Sequence, residues 1–437
     1  MKTALDNFFD LTGLKTNVKR EILAGFTTFI SMAYILFVNP EILGASGMDK
    51  GAVFTATALA SVIGCLLMGL LAKYPIATAP SLGINAFFAY SVCIGMNIPW
   101  QTTLAGVFVA SIIFLLITVF KLRELIIDAI PADLKAAISA GIGLFIAFIG
   151  LQGGGLIVAN KSTLVGLGSF SGSTWVTVFG LIVVSILMVM RVPGAIFIGM
   201  VLSAIFGIAT GNIQMPHAFV APAPSMDQTF LVALSHLKDI NTLQMWVVVI
   251  TFLLVTFFDT AGTLIALAQQ AGFLQNNKMP RVGKALMSDS TAMLFGSLFG
   301  TSPVGAYVES SAGIAVGGRS GLTAVTTGIC FILGLFFSPL LTVATSQVTA
   351  PALIIVGVLM AQSMARITWT KLEIAIPAFL TVAGMPLTYS ISDGLALGFI
   401  AYPITMIAAR KGKEVPALMY VLFFVFVIFF WVLNIEK

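Results

Sequence analysis

Long stretches without a charged residue constrain the fold of this sequence more than any other feature. About 20 apolar residues are enough for one helical crossing of a lipid bilayer, and several stretches are longer. Only 9% of the 437 residues are charged, whereas about 25% of the residues in soluble domains are. The sequence therefore predicts an all-α polytopic membrane protein. The charge-free stretches are residues 22–40, 51–72, 74–120, 136–160, 162–190, 192–226, 260–277, 321–365 and 374–392.

Dividing the longer stretches at breaks that contain glycine, proline or asparagine gives about 14 membrane spans. Residues 1–210 hold the first seven spans, residues 211–243 form an extracellular connecting segment, and residues 244–437 hold the second seven. An extra apolar segment, 416–433, either crosses the membrane or lies along it. The predicted spans are 22–39, 52–72, 74–92, 103–120, 136–152, 174–190, 194–210, 244–268, 285–299, 300–318, 321–341, 349–363, 374–389 and 391–409.

Two parts of the chain resemble each other. The broken segment APSLGINAFF (79–88) of span 3 has a counterpart in TSPVGAYVES (301–310) of span 10, and IPADLKAAISAGIGL (130–144) has a weaker one in VTAPALIIVGVLM (348–360). Because seven is odd, the second seven spans enter from the opposite side, which predicts inverted repeats whose broken spans meet near the midplane. Alternatively, glycine and proline only allow close helix packing there.

Basic residues predict the orientation, because Lys and Arg are enriched on the cytoplasmic flanks of spans. Lys15, Lys19 and Arg20 precede span 1, so we expect a cytoplasmic N-terminus. The first 20 residues lack the apolar core of a cleavable signal peptide, and span 1 itself is expected to direct insertion. The other predicted cytoplasmic groups are Lys121, Arg123 and Lys135, then Lys278, Arg281 and Lys284, and finally Arg410, Lys411 and Lys413.

The stretch 300–318, GTSPVGAYVESSAGIAVGG, holds a single carboxylate, Glu309. No other charged residue lies between Asp289 and Arg319. An ionisable group at membrane depth is costly to insert and is by default a functional-site hypothesis. Pro303 and the glycines oppose one uniform helix, and irregular backbone is tolerated there only where protein or a water-filled cavity covers it. The stretch therefore predicts a substrate site built on a discontinuous helix.

Asp259 in span 8 and Asn85 in span 3 are the other polar residues that stand out. Carboxylates accept hydrogen bonds and a carboxamide both donates and accepts, so with Glu309 they could satisfy a flat heterocycle with N–H and C=O edges. Nearby aromatic rings such as Phe87 could stack on it. Desolvation favours the neutral form of a carboxyl group, so both carboxylates are also candidates for proton coupling. Alternatively, each polar residue only caps a helix or bonds a neighbouring span, and Asp289 is interpreted as structural.

Several other functions lack the residues that they would need. Cys65, Cys93 and Cys330 lie in apolar stretches and predict neither a disulfide framework nor a metal site. An intramembrane enzyme would need a nucleophile with a base, or a metal cluster, and a channel would need a continuous polar lining. The net charge of +5 is modest, and the basic residues form no patch for nucleic acid. We therefore predict no enzyme, no nucleic-acid partner and no cofactor, with the proton as coupling ion.

Five motifs spread over nearly the whole chain are similar to those of a known transporter family. They are TTFISMAYILFVNP (27–40), APSLGINAFFAYSV (79–92), FFDTAGTL (257–264), GTSPVGAYVESSAGIAVGGRSGLTAV (300–325) and TAPALIIVGVLM (349–360). The sequence resembles the AzgA-type purine permeases, a branch of the nucleobase:cation symporter family with the fold of the bacterial uracil transporter. It most resembles the bacterial hypoxanthine/guanine permeases, and the adenine permeases share most of these motifs.

The resemblance implies fourteen spans in two inverted repeats of seven, divided into a core domain (spans 1–4 and 8–11) and a gate domain (spans 5–7 and 12–14). A purine base would bind between broken spans 3 and 10 and span 8. Glu309 would hold its N–H groups, Asp259 would serve binding or proton coupling, and Asn85 would help to select the purine. Related folds often form homodimers through the gate domain. The implied substrate-binding residues are Glu309, Asp259, Asn85, Val308, Ala86 and Phe87.

Two positions depart from the family pattern. Thr256 stands where many relatives have a second aspartate in span 8, and Pro303-Val304-Gly305 stands where many have a threonine run. The leading hypothesis is a proton-coupled importer of purine nucleobases in the plasma membrane, with hypoxanthine and guanine as preferred substrates, that moves its core against its gate in an elevator-like cycle. The alternative is a carrier of anions or other small solutes with the related sulfate-type fold.

Overall fold

A computed structural model describes residues 4–120, 130–273 and 279–435, most of which are helical. The predicted cytoplasmic residues Lys121, Arg123 and Lys278 lie outside these ranges. The helices are α1 Ala4–Phe9, α2 Val18–Met32, α3 Ile35–Gly44, α4 Lys50–Leu67, α5 Leu82–Ala86, α6 Trp100–Val119, α7 Ala132–Gly153, α8 Gly172–Val189, α9 Ala195–Ala209, α10 Val232–Ser235, α11 Leu243–Gln270, α12 Val282–Phe299, α13 Ser310–Ala315, α14 Gly321–Gly334, α15 Ser346–Ala361, α16 Leu372–Thr388, α17 Ile391–Ala408 and α18 Ala417–Ile435.

Some helices change their winding along their length. The π-helical segments Met68–Ala72 and Phe87–Gly95 continue α4 and α5, and the 3₁₀ segment Leu335–Thr342 continues α14. Helix α2 gives way to α3 at Ala33 and Tyr34, where the amide of Phe37 bonds the Tyr34 carbonyl three residues back. Such three-residue bonds tighten the backbone turn. The first span is therefore tightened in its middle while Ala33 and Tyr34 keep right-handed helical dihedrals, a feature that the sequence did not predict.

The helices occur at the positions of the predicted spans. Within the described residues, nine helical segments are long and apolar enough to cross a membrane, and the segment of α2 and α3 is the first of them. The described residues also include four shorter apolar helices. These features support a multi-pass membrane protein, and the count of fourteen crossings stays a prediction. The shorter helices are Leu82–Gly95, Ala195–Ala209, Leu372–Thr388 and Ala417–Ile428.

Four short strands interrupt the helical fold, where the sequence predicted only helices. Strand β1 (Thr78–Pro80) pairs with β4 (Val304–Ala306), and β2 (Ile157–Asn160) forms an exposed hairpin with β3 (Leu164–Leu167). Proline and glycine oppose a helix at 75–83 and 300–305. Backbone groups away from water must still find partners, and the strand pair β1–β4 supplies them.

The helices pack in two groups. Helix α7 packs against α15 and α16, whereas α14 packs against α2 and α4, and α12 packs against α4 and α6. Glycines permit the closest approach within the first group, because a Cβ added to Gly357 of α15 would lie 2.5 Å from the carbonyl oxygen of Gly143 in α7. Small residues at such crossings let helix backbones touch inside a bilayer.

A buried carboxylate ties α2 to the start of α14. Glu21 is fully buried, and its side chain accepts bonds from the backbone amides of Arg319 (2.9 Å) and Ser320 (3.1 Å) and from the hydroxyls of Ser320 (2.8 Å) and Thr323 (2.6 Å). A negative charge is favourable at a helix N-terminus because free amides point at it. Glu21 therefore anchors these two helices to each other.

Candidate functional site

The two broken segments cross each other as a short antiparallel ladder. Thr78 pairs with Ala306, and Pro80 pairs with Val304. The ladder is extended at one end by the Ser81 amide, which donates to the Pro303 carbonyl at 3.0 Å. Nearly all these backbone groups are buried, and the ladder keeps them bonded. The predicted meeting of spans 3 and 10 is thus present, as paired strands.

Glu309 lies at the start of α13, directly after the β4 crossing, and its side chain is partly exposed. The Tyr34 hydroxyl donates to Glu309 Oε1 at 2.5 Å. Tyr34 lies in the tightened turn between α2 and α3 and is fully buried. The carboxylate is therefore held from the protein interior on one side and accessible on the other.

Asp259 lies in the middle of α11 and is also partly exposed. Its Oδ2 accepts a bond of 2.8 Å from the hydroxyl of Ser81, the residue that precedes α5. Gly305 of β4 faces the same carboxylate, since a Cβ added there would lie 4.0 Å from Asp259 Oδ2 and 3.2 Å from Thr260 Oγ1. The missing side chain at Gly305 leaves room beside Asp259. Glu309 and Asp259, here called the carboxylate pair, thus flank the strand crossing.

Asp289, interpreted from sequence as structural, lies fully buried in α12 beside this region. The Thr260 hydroxyl donates to its Oδ2 at 2.7 Å. Its other oxygen, Oδ1, has no hydrogen-bond partner among the described residues. The hydroxyl of Thr256, one turn before Thr260 on α11, also lacks one within the described chain. Asp289 is therefore linked to the helix turn that carries Asp259.

Asn85 belongs to a fully buried polar cluster. Its Nδ2 donates to Asn39 Oδ1 at 2.9 Å, and its Oδ1 has no partner in the described part of the chain. Asn39 Nδ2 donates to the hydroxyls of Thr57 (2.7 Å) and Thr301 (2.8 Å), and Asn39 Oδ1 also accepts from Ser302 at 3.3 Å. These five residues, here called the amide network, connect α3, α4, α5 and the segment before β4.

The remaining predicted contact residues differ in their surroundings. Val308 is 49% exposed, next to Glu309. Ala86 and Phe87 are fully buried, and the Phe87 ring packs edge-on against Phe252 of α11 with centroids 4.9 Å apart. Val308 therefore shares the open side of the crossing, whereas the Phe87 ring lies between α5 and α11.

Several polar contacts between the two helix groups lie near the end of α3 that carries Glu41. Glu41 of α3 accepts a bond of 2.8 Å from the Ser346 hydroxyl at the start of α15 and forms an ion pair with Lys50. The Ile391 amide of α17 donates to Ser91 Oγ at 3.3 Å. A cleft of about 200 Å³ adjoins Glu41 and Ser346. This end is held together by a few polar contacts.

Three residues of the site are not predicted from the sequence. Tyr34 lies in an apolar run like any interior tyrosine, and Ser81 resembles an ordinary helix cap, so neither carries a clear signal. Asn39 does carry one, because it is an amide in an apolar run directly before Pro40. Among residues 4–120, 130–273 and 279–435, no three His, Cys, Asp or Glu residues group as metal ligands would.

The arrangement offers hydrogen-bond acceptors. An ionised carboxylate only accepts hydrogen bonds, and each of its oxygens can take more than one donor. Among the described side chains, Tyr34 donates to Glu309 and Ser81 donates to Asp259. Acceptor capacity therefore remains on both partly exposed side chains, and it suits a ligand that presents N–H groups.

Solved structures share this fold. The transmembrane domain of a cyanobacterium bicarbonate transporter, BicA, superimposes with a TM-score of 0.61 at 16% identity, covering 90% of this chain and 97% of that one. The murine anion transporter Slc26a9 in its inward-facing state gives a TM-score of 0.62 at 11% identity, covering 94% of this chain and 72% of that one. At such low identity the likeness concerns the fold alone.

Sequence relatives are much closer. The guanine/hypoxanthine permease PbuG of Bacillus subtilis (strain 168) is 54% identical over 436 residues, 98% of this chain and 99% of that protein. The adenine permease AdeP of Escherichia coli (strain K12) is 40% identical over 433 residues, 97% of this chain and 96% of that protein. Residues 19–397 match the family described as Permease family, Xan_ur_permease. The chain therefore belongs to the Xan_ur_permease family of nucleobase permeases.

Proposed function

We propose that this protein is a proton-coupled importer of purine nucleobases, with hypoxanthine and guanine as preferred substrates and adenine as a further one. The observation that carries the proposal is the partly exposed carboxylate pair beside the strand crossing. Purines present N–H donors along their edges, and ionised carboxylates accept them. The names of the relatives, guanine/hypoxanthine and adenine permeases, support the same substrate class.

Glu309 would accept from the N–H groups of the base, and Asp259 would accept a further N–H or carry the coupling proton. The Oδ1 of Asn85, which has no partner among the residues that the structure describes, is one more acceptor through which the purine could be selected. Val308, Ala86 and Phe87 would shape the apolar walls. A carboxyl group away from water favours its neutral form, so proton binding at the pair could be linked to substrate binding.

An anion carrier is the second candidate, because the solved structures of this fold include anion transporters. The carboxylate pair argues against it. An anion near two ionised carboxylates is repelled, and the repulsion is strong where water is scarce. A neutral base with N–H groups meets no such repulsion.

The transport cycle would move spans 1–4 and 8–11 as a core against spans 5–7 and 12–14 as a gate. The two packing groups of helices support this division. The few polar contacts at Glu41, Ser346 and Ser91 between the groups are of a kind that can break and reform. We further propose fourteen crossings, a cytoplasmic N-terminus, a plasma-membrane location and a homodimer formed through the gate.

The decisive experiment is uptake of radiolabelled hypoxanthine into purine-uptake-deficient cells that express the protein. Proton coupling predicts that a protonophore abolishes the uptake. Glu309→Gln, which keeps the shape but removes the charge, should abolish it at equal protein levels in the membrane. Unlabelled guanine and adenine should compete, and sulfate and bicarbonate should not.

The opposite results would be equally informative. Uptake that resists the protonophore would refute proton coupling alone. Normal uptake by Glu309→Gln would move the binding site away from the crossing. Competition by bicarbonate or sulfate instead of purines would favour the anion carrier.

A further inference from the structure

The first span carries a buried tyrosine whose hydroxyl reaches the carboxylate of Glu309. Tyr34 lies where α2 ends and α3 begins, and its ring has no exposed surface. Its hydroxyl donates to Glu309 Oε1 at 2.5 Å. Charge-assisted hydrogen bonds of this kind are short and roughly twice as strong as those between neutral groups. The bond joins two parts of the chain separated by 275 positions.

Close helix packing brings Tyr34 and Glu309 together. Helix α13, which follows Glu309, packs directly against α2. A Cβ added to Gly313 of α13 would meet the carbonyl oxygen of Ala24 at 2.6 Å, so the two backbones nearly touch. This close approach accompanies the bond from the Tyr34 phenol to the residue that precedes α13.

Glu309 has no second tether of this kind. No other side-chain donor to its carboxylate occurs in the described part of the chain, and the opposite side of Glu309 is partly exposed. Without the phenol, the carboxylate could rotate about its side-chain bonds. Positioned acceptors bind a rigid ligand better because less freedom is lost on binding.

We propose that Tyr34 is a positioning residue for Glu309: its hydroxyl holds the carboxylate in the orientation that receives the N–H groups of the substrate. This inference rests on the proposed function and assigns to the first span a part in binding. A phenol in this role donates without giving up its proton. Tyr34 need not touch the substrate.

The neighbouring phenol, Tyr307, serves a different partner. The Tyr307 hydroxyl donates to the backbone carbonyl of Pro80 at 2.7 Å. Tyr34 is therefore the phenol that donates to the Glu309 carboxylate.

The test is Tyr34→Phe, which removes one oxygen atom and keeps the ring. We expect KM for hypoxanthine uptake to rise about tenfold, the amount that a hydrogen bond to a charged group carries. A merely structural residue would lower the maximal rate through protein abundance and leave KM unchanged.

Two matched variants isolate the effect. Tyr420→Phe removes a hydroxyl that bonds the Gly412 carbonyl at 2.9 Å, far along the chain, and should leave KM as in the wild type. Tyr307→Phe removes a hydroxyl that donates to the Pro80 carbonyl instead of Glu309, so KM should change less than in Tyr34→Phe. A wild-type KM for Tyr34→Phe would overturn the proposal.

A folding test covers the case in which Tyr34→Phe is not produced. Removing both partners of a buried hydrogen bond costs less than removing one. The double variant Tyr34→Phe, Glu309→Ala should therefore be no less thermally stable in detergent than Glu309→Ala alone, in which the Tyr34 hydroxyl has lost this acceptor. A double variant with a lower thermal midpoint than Glu309→Ala would refute the coupling. This comparison needs no substrate, so it tests Tyr34 even if purine uptake by the wild type fails.

Discussion

The carboxylate pair and the amide network both adjoin the crossing of β1 and β4, yet they differ in access. Asn39 in the network is fully buried, and its amide makes four hydrogen bonds within the protein. Each member of the carboxylate pair is partly exposed and receives one bond from the side chains that the structure describes. A polar group with all its bonds satisfied internally stabilises the fold, whereas one with spare acceptors can serve a ligand. A polar residue inside the membrane can therefore stabilise the fold or bind a ligand, and its burial and hydrogen bonds together distinguish the two roles.

The largest expected effect on substrate affinity comes from a substitution of Asp259. Asp259→Asn keeps an oxygen that can accept from Ser81 but removes the charge. Because hydrogen bonds to charged groups carry about 1.5–3 kcal/mol, we expect the affinity for hypoxanthine to fall about ten- to hundredfold. Competition binding on purified protein measures it, and the thermal stability should stay close to wild type. A variant that loses stability with unchanged affinity would place Asp259 among the structural residues.

Asn39→Ala tests the other side of the comparison. It removes four bonds and leaves the amide of Asn85 and the hydroxyls of Thr57 and Thr301 buried without that partner. Each orphaned polar group costs about 1–3 kcal/mol, so we expect clear destabilisation, read as a lower thermal midpoint in detergent. The control Asn160→Ala, in the exposed β2–β3 hairpin, should change it far less. If Asn39→Ala weakened purine binding without destabilising the protein, the network would belong to the binding site.

The smallest expected change in stability comes from substitutions of two threonines of α11, both of which are fully buried. Thr260 donates to Asp289, whereas the Thr256 hydroxyl has no partner within the described chain. Thr260→Val should destabilise the protein by about 1–3 kcal/mol, because it leaves Asp289 without its donor. Thr256→Val removes an unsatisfied hydroxyl at nearly constant volume and should be neutral or slightly stabilising. Equal thermal midpoints for the two variants would contradict the assignment of these bonds.

Much of the fold follows from the pattern of charge along the sequence. Charge-free stretches predicted the helices, and Pro80, Pro303 and Gly305 predicted two breaks at corresponding places. The isolation of Glu309 and Asp259 among apolar residues predicted the two carboxylates that flank the crossing. These features are local in sequence, or they follow from the cost of charge in a membrane.

The remaining features depend on contacts between distant residues. The sequence shows that residues 78–80 and 304–306 are not helical, but the pairing of one with the other is a tertiary outcome. In the sequence, Tyr34 looks like any tyrosine in an apolar stretch. Only the packed structure shows that its hydroxyl bonds Glu309. Asn85 was predicted as a selector of the purine, and the structure adds its bond to Asn39, which no periodicity could reveal.

The strand crossing also has a consequence for how the protein is made. Tyr307 and Pro80, whose bond lies beside the ladder, are 227 positions apart. Chains are synthesised at about 5–20 residues per second, so β1 has no strand partner for tens of seconds after it leaves the ribosome. During that time its backbone groups must stay hydrated or be shielded by the insertion machinery, because lipid offers them no bonds. Completion of the site therefore comes late in biogenesis, and a chain truncated before residue 304 would expose an unpaired strand to degradation.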